Sequence, residues 1–409
     1  MKRIALITYD ISPYRGSESS VSWNFVTRMS EKVHITVYYG NHKDEVEKYL
    51  SQQPLKNVDW VNIAPKSTTR TGAAGLLQYI SNYKKWHKQV YQAIREQATQ
   101  GKIDLIHYLN PIGFKEPGYC WKIKEIPYVW GPIACVENRP LPLYKAYSLK
   151  GKYNAFARRI AHNALFVLMP RLKKALRNTD TVFAATPTGV RMLKKHYHRD
   201  AIYLPENGIP TMERMQPISY DGNQPLNIIW IGRGNDQDKA LIILLDSLAK
   251  VKSANYHLHI VGPGILSDKM NDRINSMSGQ TTFHGKIDRD HVQQLLLNSH
   301  LHVITSLGEA TTTVLFEAMA KAVPTMTLDH CGMAGVVCDK CGIKIPISGY
   351  NKVTTRISTE IESLIEHPAR INELSTGVLA CSKRFMWDNR ISLFTETYDR
   401  LINEYRSKR

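Results

Sequence analysis

The sequence predicts an α/β protein with two doubly wound parallel sheets, one after the other along the chain. Short β-branched or apolar runs alternate with segments of helical period throughout its 409 residues. The series of strands starts again at Leu226, after the stretch YLPENGIPTMERMQPISYDGNQP, which is rich in Pro, Gly and Asn and therefore typical of a linker. A chain of this length can also bury two separate cores.

The candidate strands fall into two series. The first comprises RIALITYD, HITVYYG, DLIHYL, YVWGP and TVFAAT, and the second comprises NIIWIG, YHLHIVG, TTFHG, LHVITS and PTMTL. Segments such as ALIILLDSLAKV and DHVQQLLLNS have helical period and separate members of the second series. Strands that alternate with helices indicate parallel sheets covered on both faces.

A linker near residues 205 to 225 gives the predicted domains: 1–205, 206–384 and a C-terminal helix at 385–409. The last segment, RFMWDNRISLFTETYDRLINEYRSKR, has apolar residues at helical spacing, and no strand follows it. We therefore expect this helix to pack against an existing sheet. Two doubly wound domains in tandem are expected to face each other across a cleft, with ligands at the carboxyl ends of the strands.

The first residues, MKRIALITYDISPY, contain only a short apolar run before Asp10 and predict a β-strand, not a secretion signal. No apolar stretch approaches the roughly 20 residues that span a bilayer. The six cysteines are irregularly spaced, which favours a cytoplasmic protein with reduced thiols.

Three cysteines, Cys331, Cys338 and Cys341, occur close together, and CDKC has the spacing of a zinc knuckle. Structural zinc sites usually take four ligands from two such pairs, and the second CxxC is missing from the sequence. The sequence therefore predicts no metal site here.

The positive charge is concentrated in the first half. Residues 1–205 carry 32 basic and 14 acidic side chains, whereas residues 206–409 carry 22 of each, and the total is +18. No acid occurs between Asn138 and Thr179, but ten basic residues do: Arg139, Lys145, Lys150, Lys152, Arg158, Arg159, Arg171, Lys173, Lys174 and Arg177. Such a surface is expected to meet a lipid headgroup, a phosphorylated substrate or nucleic acid.

Two loops are candidates for anion binding. In ITYDISPYRGSES, Gly16 precedes a helix expected to open at Ser17, where glycine lets a ligand approach the backbone; a plain turn glycine is the alternative. In WIGRGNDQDKALIILL, Arg233 and Lys239 could clamp a diphosphate. Asp236 and Asp238 form a DxD that could hold a divalent ion, but beside two cations we favour helix N-terminal acids.

A further motif, GEATTTVLFEAMAKAVP, places Glu309 before a predicted helix and Glu317 about two turns into it. These residues alone allow two interpretations. Either Glu309 is a solvated acid before a threonine cap and Glu317 is a surface acid, or both face a ligand.

The ordered set of motifs resembles the family-4 glycosyltransferases of the GT-B class. The matching elements are Gly16 with Glu18, Arg233 with Lys239, HIVGPG at 259–264, FHGKI at 283–287, and Glu309 with Glu317 followed by AMAKAVP. They cover nearly the whole chain. Two departures occur: the family usually has a Gly-Gly pair in the first loop and a glycine at the position of Ala322.

The resemblance implies a role for each site residue. Thr311, Thr312 and Thr313 would cap a helix whose amides point at the donor phosphates, and Glu309 would accept hydrogen bonds from the donor sugar. Glu317 would hold the ribose hydroxyls, and Gly262 and Ile287 would belong to the donor site. His107, in DLIHYLNP, matches a histidine near the donor sugar; a structural histidine at a strand end is the alternative.

The implied reaction is the transfer of a hexose from a UDP- or GDP-sugar to an acceptor hydroxyl, with retention at the anomeric carbon and without metal or other cofactor. The acceptor would bind the first domain. Two basic, aromatic segments, LLQYISNYKKWHKQVYQAIREQ and YKAYSLKGKYNAFARRIAHNALFVLMPRLKKALR, suit a membrane interface, although ordinary core helices remain possible.

We therefore expect an enzyme of surface polysaccharide synthesis, cytoplasmic and peripheral on the inner face of the membrane. Its acceptor would be a lipid-linked saccharide or a lipopolysaccharide core. Two alternatives remain: a soluble glycosyltransferase that acts on a small metabolite, and a nucleic-acid-binding protein. The second alternative explains the charge, but the sequence contains no recognised nucleic-acid-binding motif.

Overall fold

Two parallel sheets organise the chain, one in each of two units. The computed structural model describes residues 1–69 and 71–408, apart from the side chains of Ala73 and Leu76. The first unit comprises 1–136, 163–206 and the chain from Trp387 onward, and the second comprises 137–162 and 207–386.

The sheet of the first unit has seven strands in the order β3-β2-β1-β4-β5-β6-β7. The strands are β1 (Arg3–Asp10), β2 (His34–Asn41), β3 (Val58–Asn62), β4 (Leu105–Asn110), β5 (Tyr128–Ile133), β6 (Thr181–Ala184) and β7 (Ile202–Tyr203). The helices in this part of the chain are α1 (Ser17–Met29), α2 (Lys43–Gln52), α3 (Gly72–Thr99), α4 (Leu149–Leu168), α5 (Pro170–Arg177) and α6 (Pro187–Tyr197). All strand pairs in the sheet are parallel, as the alternation predicts.

The sheet of the second unit has six parallel strands in the order β10-β9-β8-β11-β12-β13. They are β8 (Leu226–Ile231), β9 (Tyr256–Val261), β10 (Gln280–Gly285), β11 (Leu301–Ile304), β12 (Thr325–Leu328) and β13 (Gly342–Ile345). The helices are α7 (Leu241–Leu248), α8 (Asp268–Asn275), α9 (Arg289–Leu297), α10 (Thr313–Ala320), α11 (Met333–Val336), α12 (Tyr350–Glu366) and α13 (Ala369–Ser382).

The last helix, α14 (Trp387–Arg406), returns to the first unit. Its residues Phe394, Tyr398 and Leu401 are buried in one cluster with side chains of β1 and β2. The apolar spacing that predicted this helix is therefore the face that covers the sheet of the first unit.

The strand order of each sheet reverses beside its first strand. In the first unit, β1 lies between β2 and β4, and in the second unit, β8 lies between β9 and β11. At such a switch point the loops that follow the two adjacent strands diverge and leave room for a ligand at the carboxyl ends. The loops after β8 and β11 carry the DQD motif and Glu309.

The division of the chain differs from the predicted domains at one segment. Residues 137–162 group with the second unit, although the sequence placed them in the first domain. The reason is apolar packing, because Leu143, Tyr147 and Ala155 are buried in the core of the second unit. The basic run between Asn138 and Thr179 is therefore divided between the units.

No helix within the described residues is both long enough and apolar enough to cross a membrane.

Candidate functional site

Strand β8 and the loop after it are tied to the loop after β11 by three hydrogen bonds. Trp230 Nε1 donates to Thr305 Oγ1 at 3.0 Å, and that hydroxyl donates to the carbonyl oxygen of Lys239 at 2.9 Å. The amide of Leu307 donates to the carbonyl oxygen of Asp238 at 2.8 Å. These bonds bring two loops that are distant in sequence together at the switch point.

Lys239 and Glu309 form an ion pair in this place. The Lys239 Nζ atom lies 2.5 Å from Glu309 Oε1, and the two side chains are only 18% and 25% exposed. Glu309 Oε2 and Thr311 Oγ1 are buried and have no hydrogen-bond partner among the described residues. Buried polar atoms without partners are uncommon, so both atoms are candidates to bind a ligand.

The helix α10 begins beside this pair. Its N-cap is Thr312, whose side chain makes no capping hydrogen bond within the described part of the chain. Thr313 Oγ1 accepts a hydrogen bond from Asn207 Nδ2 at 2.9 Å. The expectation that the threonine hydroxyls cap the helix is therefore wrong for Thr312, and the first amides remain available as donors to an anion.

Glu317 lies just over one helical turn after the start of α10, partly buried at 21% exposure. Its Oε1 atom is 3.4 Å from Nη2 of Arg289, the first residue of α9. Ile287, half-buried, lies in the loop between β10 and α9, so it is close in sequence to this pair. Arg289 was not predicted as a site residue, because nothing in its sequence context distinguishes it from a surface arginine.

The two acids of the DQD motif are already bound to protein groups. Asp236 Oδ2 accepts from Arg233 Nη2 at 2.5 Å, and Asp238 Oδ1 accepts from Tyr147 at 2.8 Å and from Arg139 Nε at 2.5 Å. Burial by itself would raise the pKa of Asp238, but the hydrogen bonds from Arg139 and Tyr147 outweigh it and lower the pKa.

Arg139 was counted with the surface basic residues, and the structure corrects this. Its side chain is only 9% exposed and is paired with Asp238. A cavity of about 330 Å³ adjoins the pair, and its lining includes Lys150, Asn154 and Arg158. Burial, followed by the nearby Arg139 charge, lowers the pKa of Arg158.

Residues 225–365 match the model of the family described as glycosyl transferases group 1. The whole of this match lies within the second unit. The matched segment runs from β8 to the end of α12 and includes Arg233, Lys239, Glu309 and Glu317.

Solved structures extend the similarity to the whole chain. Sucrose-phosphate synthase from Thermosynechococcus elongatus has a TM-score of 0.65 at 16% identity, with 99% of this chain and 100% of that chain covered. HepE from Anabaena, solved with UDP and glucose, has a TM-score of 0.60 at 14% identity, with 98% of this chain and 100% of that chain covered. WaaG, a glycosyltransferase involved in lipopolysaccharide biosynthesis, has a TM-score of 0.58 at 15% identity, with 97% of this chain and 99% of that chain covered.

These likenesses show the GT-B fold that the sequence predicts: two α/β units with parallel sheets. No curated protein matches the chain by sequence.

Within the matched segment, Gly262 follows β9 with a φ of +135°. A Cβ atom at this position would lie 1.9 Å from the carbonyl oxygen of Gly232. Only glycine therefore allows the loops after β8 and β9 to pack backbone against backbone. This contact supports the loop that carries Arg233 and Lys239.

The matching strand ends of the first unit are held by Asn110, the last residue of β4. Asn110 Oδ1 accepts from the amide of Tyr9 at 2.8 Å, and its Nδ2 donates to the carbonyl oxygen of Asp10 at 2.9 Å. Gly16 is the N-cap of α1, and a Cβ there would contact nothing within 4 Å. Its φ of −84° suits any residue, so the ligand-facing role of Gly16 stays a prediction.

Glu18, in the first turn of α1, was quoted for the resemblance but not predicted as a site residue. Its Oε1 accepts a hydrogen bond from the amide of Ile112 at 3.4 Å. Burial raises its pKa. A partly buried carboxyl at the switch point of the first sheet is a candidate ligand for an acceptor hydroxyl.

His107 is not supported as a catalytic residue. It lies inside β4, fully buried, with Nδ1 at 2.6 Å from the Tyr398 hydroxyl and Nε2 at 2.7 Å from the carbonyl oxygen of Gly131. Burial lowers its pKa to about 4. Both ring nitrogens are engaged inside the core, so the alternative of a structural histidine fits the contacts.

Proposed function

We propose that this protein is a retaining glycosyltransferase that moves a hexose from a nucleoside diphosphate sugar to an acceptor hydroxyl. The observation that carries the proposal is the Lys239–Glu309 pair beside the open amides of α10, at the switch point of the sheet of the second unit. A cation and amide donors suit a diphosphate, and a carboxylate suits sugar hydroxyls.

In the reaction, the bond between the anomeric carbon and the diphosphate oxygen breaks, and its electron pair stays on the diphosphate. Lys239, Arg233 and the first amides of α10 stabilise that developing charge. The acceptor oxygen then bonds to the anomeric carbon from the same face, and its proton passes to the departing phosphate oxygen. Retention follows from this front-face route.

The two glutamates have separate tasks in this scheme. Glu309 accepts hydrogen bonds from hydroxyls of the transferred sugar, because its buried Oε2 atom has no partner in residues 1–69 and 71–408. Glu317 accepts hydrogen bonds from the ribose, and Arg289 orients its carboxylate. The carboxylate of Glu309 also favours the positive charge of the oxocarbenium-like transition state.

The charge on the diphosphate is proposed to be stabilised without a metal ion. Asp236 and Asp238 are bonded to Arg233, Arg139 and Tyr147, and recruiting them as metal ligands would break those bonds. The arginine and lysine of the same loop supply positive charge directly.

The uridine nucleotides are the first donors to test. HepE, which shares the fold, was solved with UDP, with UDP and glucose, and with UDP-glucose. GDP-sugars are the alternative, because the sequence does not distinguish between the bases.

For the acceptor, we propose a lipid-linked or lipopolysaccharide-type saccharide at a membrane surface. Helix α4 exposes large apolar side chains at helical spacing: Leu149, Tyr153, Phe156, Ile160, Val167 and Leu168. Exposed basic residues accompany them, including Lys150, Arg158, Lys173 and Lys174. An apolar stripe with basic neighbours is typical of interfacial helices, and it favours a location on the inner face of the cytoplasmic membrane.

The other basic, aromatic segment does not supply such a face as predicted. In α3, Tyr83 and Trp86 are buried in the core of the first unit, and Trp86 Nε1 donates to the carbonyl oxygen of Ile63 at 2.7 Å. Among the described side chains of α3, the exposed large apolar residues are Leu77, Tyr79 and Ile80, near the start of the helix. The proposed membrane contact is therefore carried mainly by α4.

The proposal can be tested by a donor screen in which released nucleoside diphosphate is measured with membrane extract as the acceptor. We expect release with one sugar nucleotide, and its loss in Lys239→Ala. Arg273→Ala is a matched control, because Arg273 pairs with Asp246 on the helical surface of the same unit. Equal activity in all three proteins, or no release with any donor, would contradict the proposal; activity on a soluble acceptor without membranes would change only the acceptor.

A further inference from the structure

Three cysteines of the second unit converge on one point. Cys338 Sγ lies 3.3 Å from Cys341 Sγ and 3.2 Å from Cys381 Sγ. All three sulfur atoms lie within 4.8 Å of one another. Cys381 is 40 residues beyond the CDKC motif, so the spacing of cysteines in the sequence does not indicate it as a partner. Cys331, the third cysteine in the sequence prediction, lies outside the group.

The CDKC segment forms a tight turn between α11 and β13. The amide of Cys341 donates to the carbonyl oxygen of Cys338 at 2.9 Å, and the amide of Cys338 donates to Cys341 Sγ at 3.2 Å. An amide that points at sulfur favours the thiolate over the thiol, and thiolates are the form that binds metals.

Helix α13 is shaped to bring the third sulfur to this turn. A Cβ atom on Gly377 would lie 1.7 Å from the carbonyl oxygen of Lys340, so only glycine lets the helix approach the turn so closely. Cys381 follows Gly377 by one helical turn and lies on the same face of the helix. The close approach and the position of the third cysteine therefore belong to one arrangement.

We propose that Cys338, Cys341 and Cys381 bind one zinc ion. In a tetrahedral site with Zn–S bonds of about 2.3 Å, neighbouring sulfur atoms are about 3.8 Å apart. The separations of Cys338 Sγ from its two partners need to open by only about half an ångström. Cys338 and Cys381 are partly exposed, so water or an external ligand can occupy the fourth position.

The charge around the cluster suits this ion. Three thiolates and a divalent cation leave one negative charge, and the adjoining chain supplies three basic residues, Lys340, Lys383 and Arg384, against one acid, Asp339. Bound zinc would join α13 to the turn before β13, at the edge of the sheet. This role is independent of the proposed transfer reaction.

The test is cobalt and zinc titration of the full-length protein, reduced with a non-thiol reductant. We expect one cobalt ion per chain with sulfur-to-cobalt charge-transfer absorption, displacement by zinc, and a higher thermal midpoint with zinc. Cys381→Ser should weaken binding more than about 100-fold, because loss of a direct ligand exceeds the effect of altering an outer partner.

Cys331→Ser is the control, since it removes a thiol of the same unit outside the cluster and should leave metal affinity unchanged. If the reduced protein shows no sulfur-to-cobalt charge-transfer absorption when cobalt is added, the proposal is overturned. Equal weakening of metal binding by Cys331→Ser would also overturn it. The same holds if the cluster binds no metal and only forms a disulfide in air between Cys338 and either partner.

Discussion

Lys239 and Glu309 follow different strands of one sheet, and their side chains meet with Nζ and Oε1 2.5 Å apart. Removing two opposite charges from water is costly, so such a partly buried pair is weak evidence for stability and stronger evidence for a site. Each side chain restrains the other before a ligand arrives. The pair therefore presents a cation and a carboxylate in fixed positions, which is the arrangement that a sugar diphosphate needs.

The first prediction concerns the coupling of this pair. Lys239→Ala should lower kcat/KM by an amount equivalent to about 2–4 kcal/mol, because a preorganised partner of the departing diphosphate is lost. Glu309→Ala should chiefly lower kcat, and the double variant should lose less than the sum, since each single change leaves the other charge unpaired. Additive losses in a double-mutant cycle would show that the pair does not act as a unit.

The second prediction separates the two glutamates. Glu317→Ala should weaken binding of the nucleotide with a smaller effect on kcat, because it removes ground-state contacts to the ribose. Calorimetry with the nucleoside diphosphate measures this directly. Glu366→Ala, an exposed acid in the same unit, provides the control. Unchanged nucleotide affinity in Glu317→Ala would remove Glu317 from the site.

The third prediction is that catalysis does not require magnesium or manganese. Arg233→Ala should cost about 2–4 kcal/mol in transition-state stabilisation, as for other preorganised charges, whereas Arg273→Ala should have little effect. Activity in EDTA should not increase when magnesium or manganese is added back. Complete loss in EDTA, restored by either ion, would instead assign the DQD loop to a metal.

The sequence predicted the fold well because its strongest signals are local. The long apolar run of β1 is buried on both faces and has no other stable environment than a covered parallel sheet. Short elements such as β7, with two residues, leave no comparable pattern. Segment 137–162 joins the second unit through tertiary packing, which no local pattern records.

The site was predictable only where a motif carried it. Arg233, Lys239, Glu309 and Glu317 belong to ordered motifs, whereas Arg289 and Arg139 acquire their roles from partners that are distant in sequence. At Ala322 the family pattern was informative: φ is +57°, in the left-handed region that favours glycine. At His107 the family pattern was misleading: the residue type matches the family's histidine, but the side chain lies in the core.

The fourth prediction follows from His107. Its pKa is about 4 in the folded protein, below its ordinary value of 6.5, so the unfolded chain takes up the proton first as the pH falls. The contribution of neutral His107 to the free energy of unfolding is therefore complete above pH 6.5 and is lost between pH 6.5 and 4. By pH 5 the loss is about 2 kcal/mol.

Urea unfolding at pH 7.5 and pH 5 measures this loss, and in His107→Gln the difference should shrink by about 2 kcal/mol. His87, whose burial lowers its pKa to about 3, contributes to the loss in every variant. His196→Gln, at an exposed position of the same unit, is the control and should keep the full difference. An unchanged difference in His107→Gln would show that His107 does not remain neutral in the fold.

The last prediction is salt-sensitive binding to anionic membranes. Each basic side chain near an anionic surface contributes about 1 kcal/mol, so the exposed basic residues of α4 and α5 suffice for measurable attachment. Arg158, Arg159, Lys173 and Lys174 changed together to glutamine should abolish most co-sedimentation with anionic vesicles. The matched control changes four exposed lysines elsewhere in the chain: Lys32, Lys48, Lys56 and Lys102. Because the net charge changes equally, a difference between the two variants isolates the position of the charge.

The apolar stripe of α4 is tested in the same assay. Changing Leu149, Phe156 and Ile160 to serine should weaken binding at high salt more than at low salt, because burial of apolar surface remains when the electrostatic attraction is screened. All three side chains are exposed, at 84%, 49% and 57%, so the fold should tolerate the change. If the intact protein ignores anionic lipid, or if both charge variants bind equally well, the basic face does not contact membranes. The proposed acceptor would then be a soluble acidic saccharide, bound by the same positive charges.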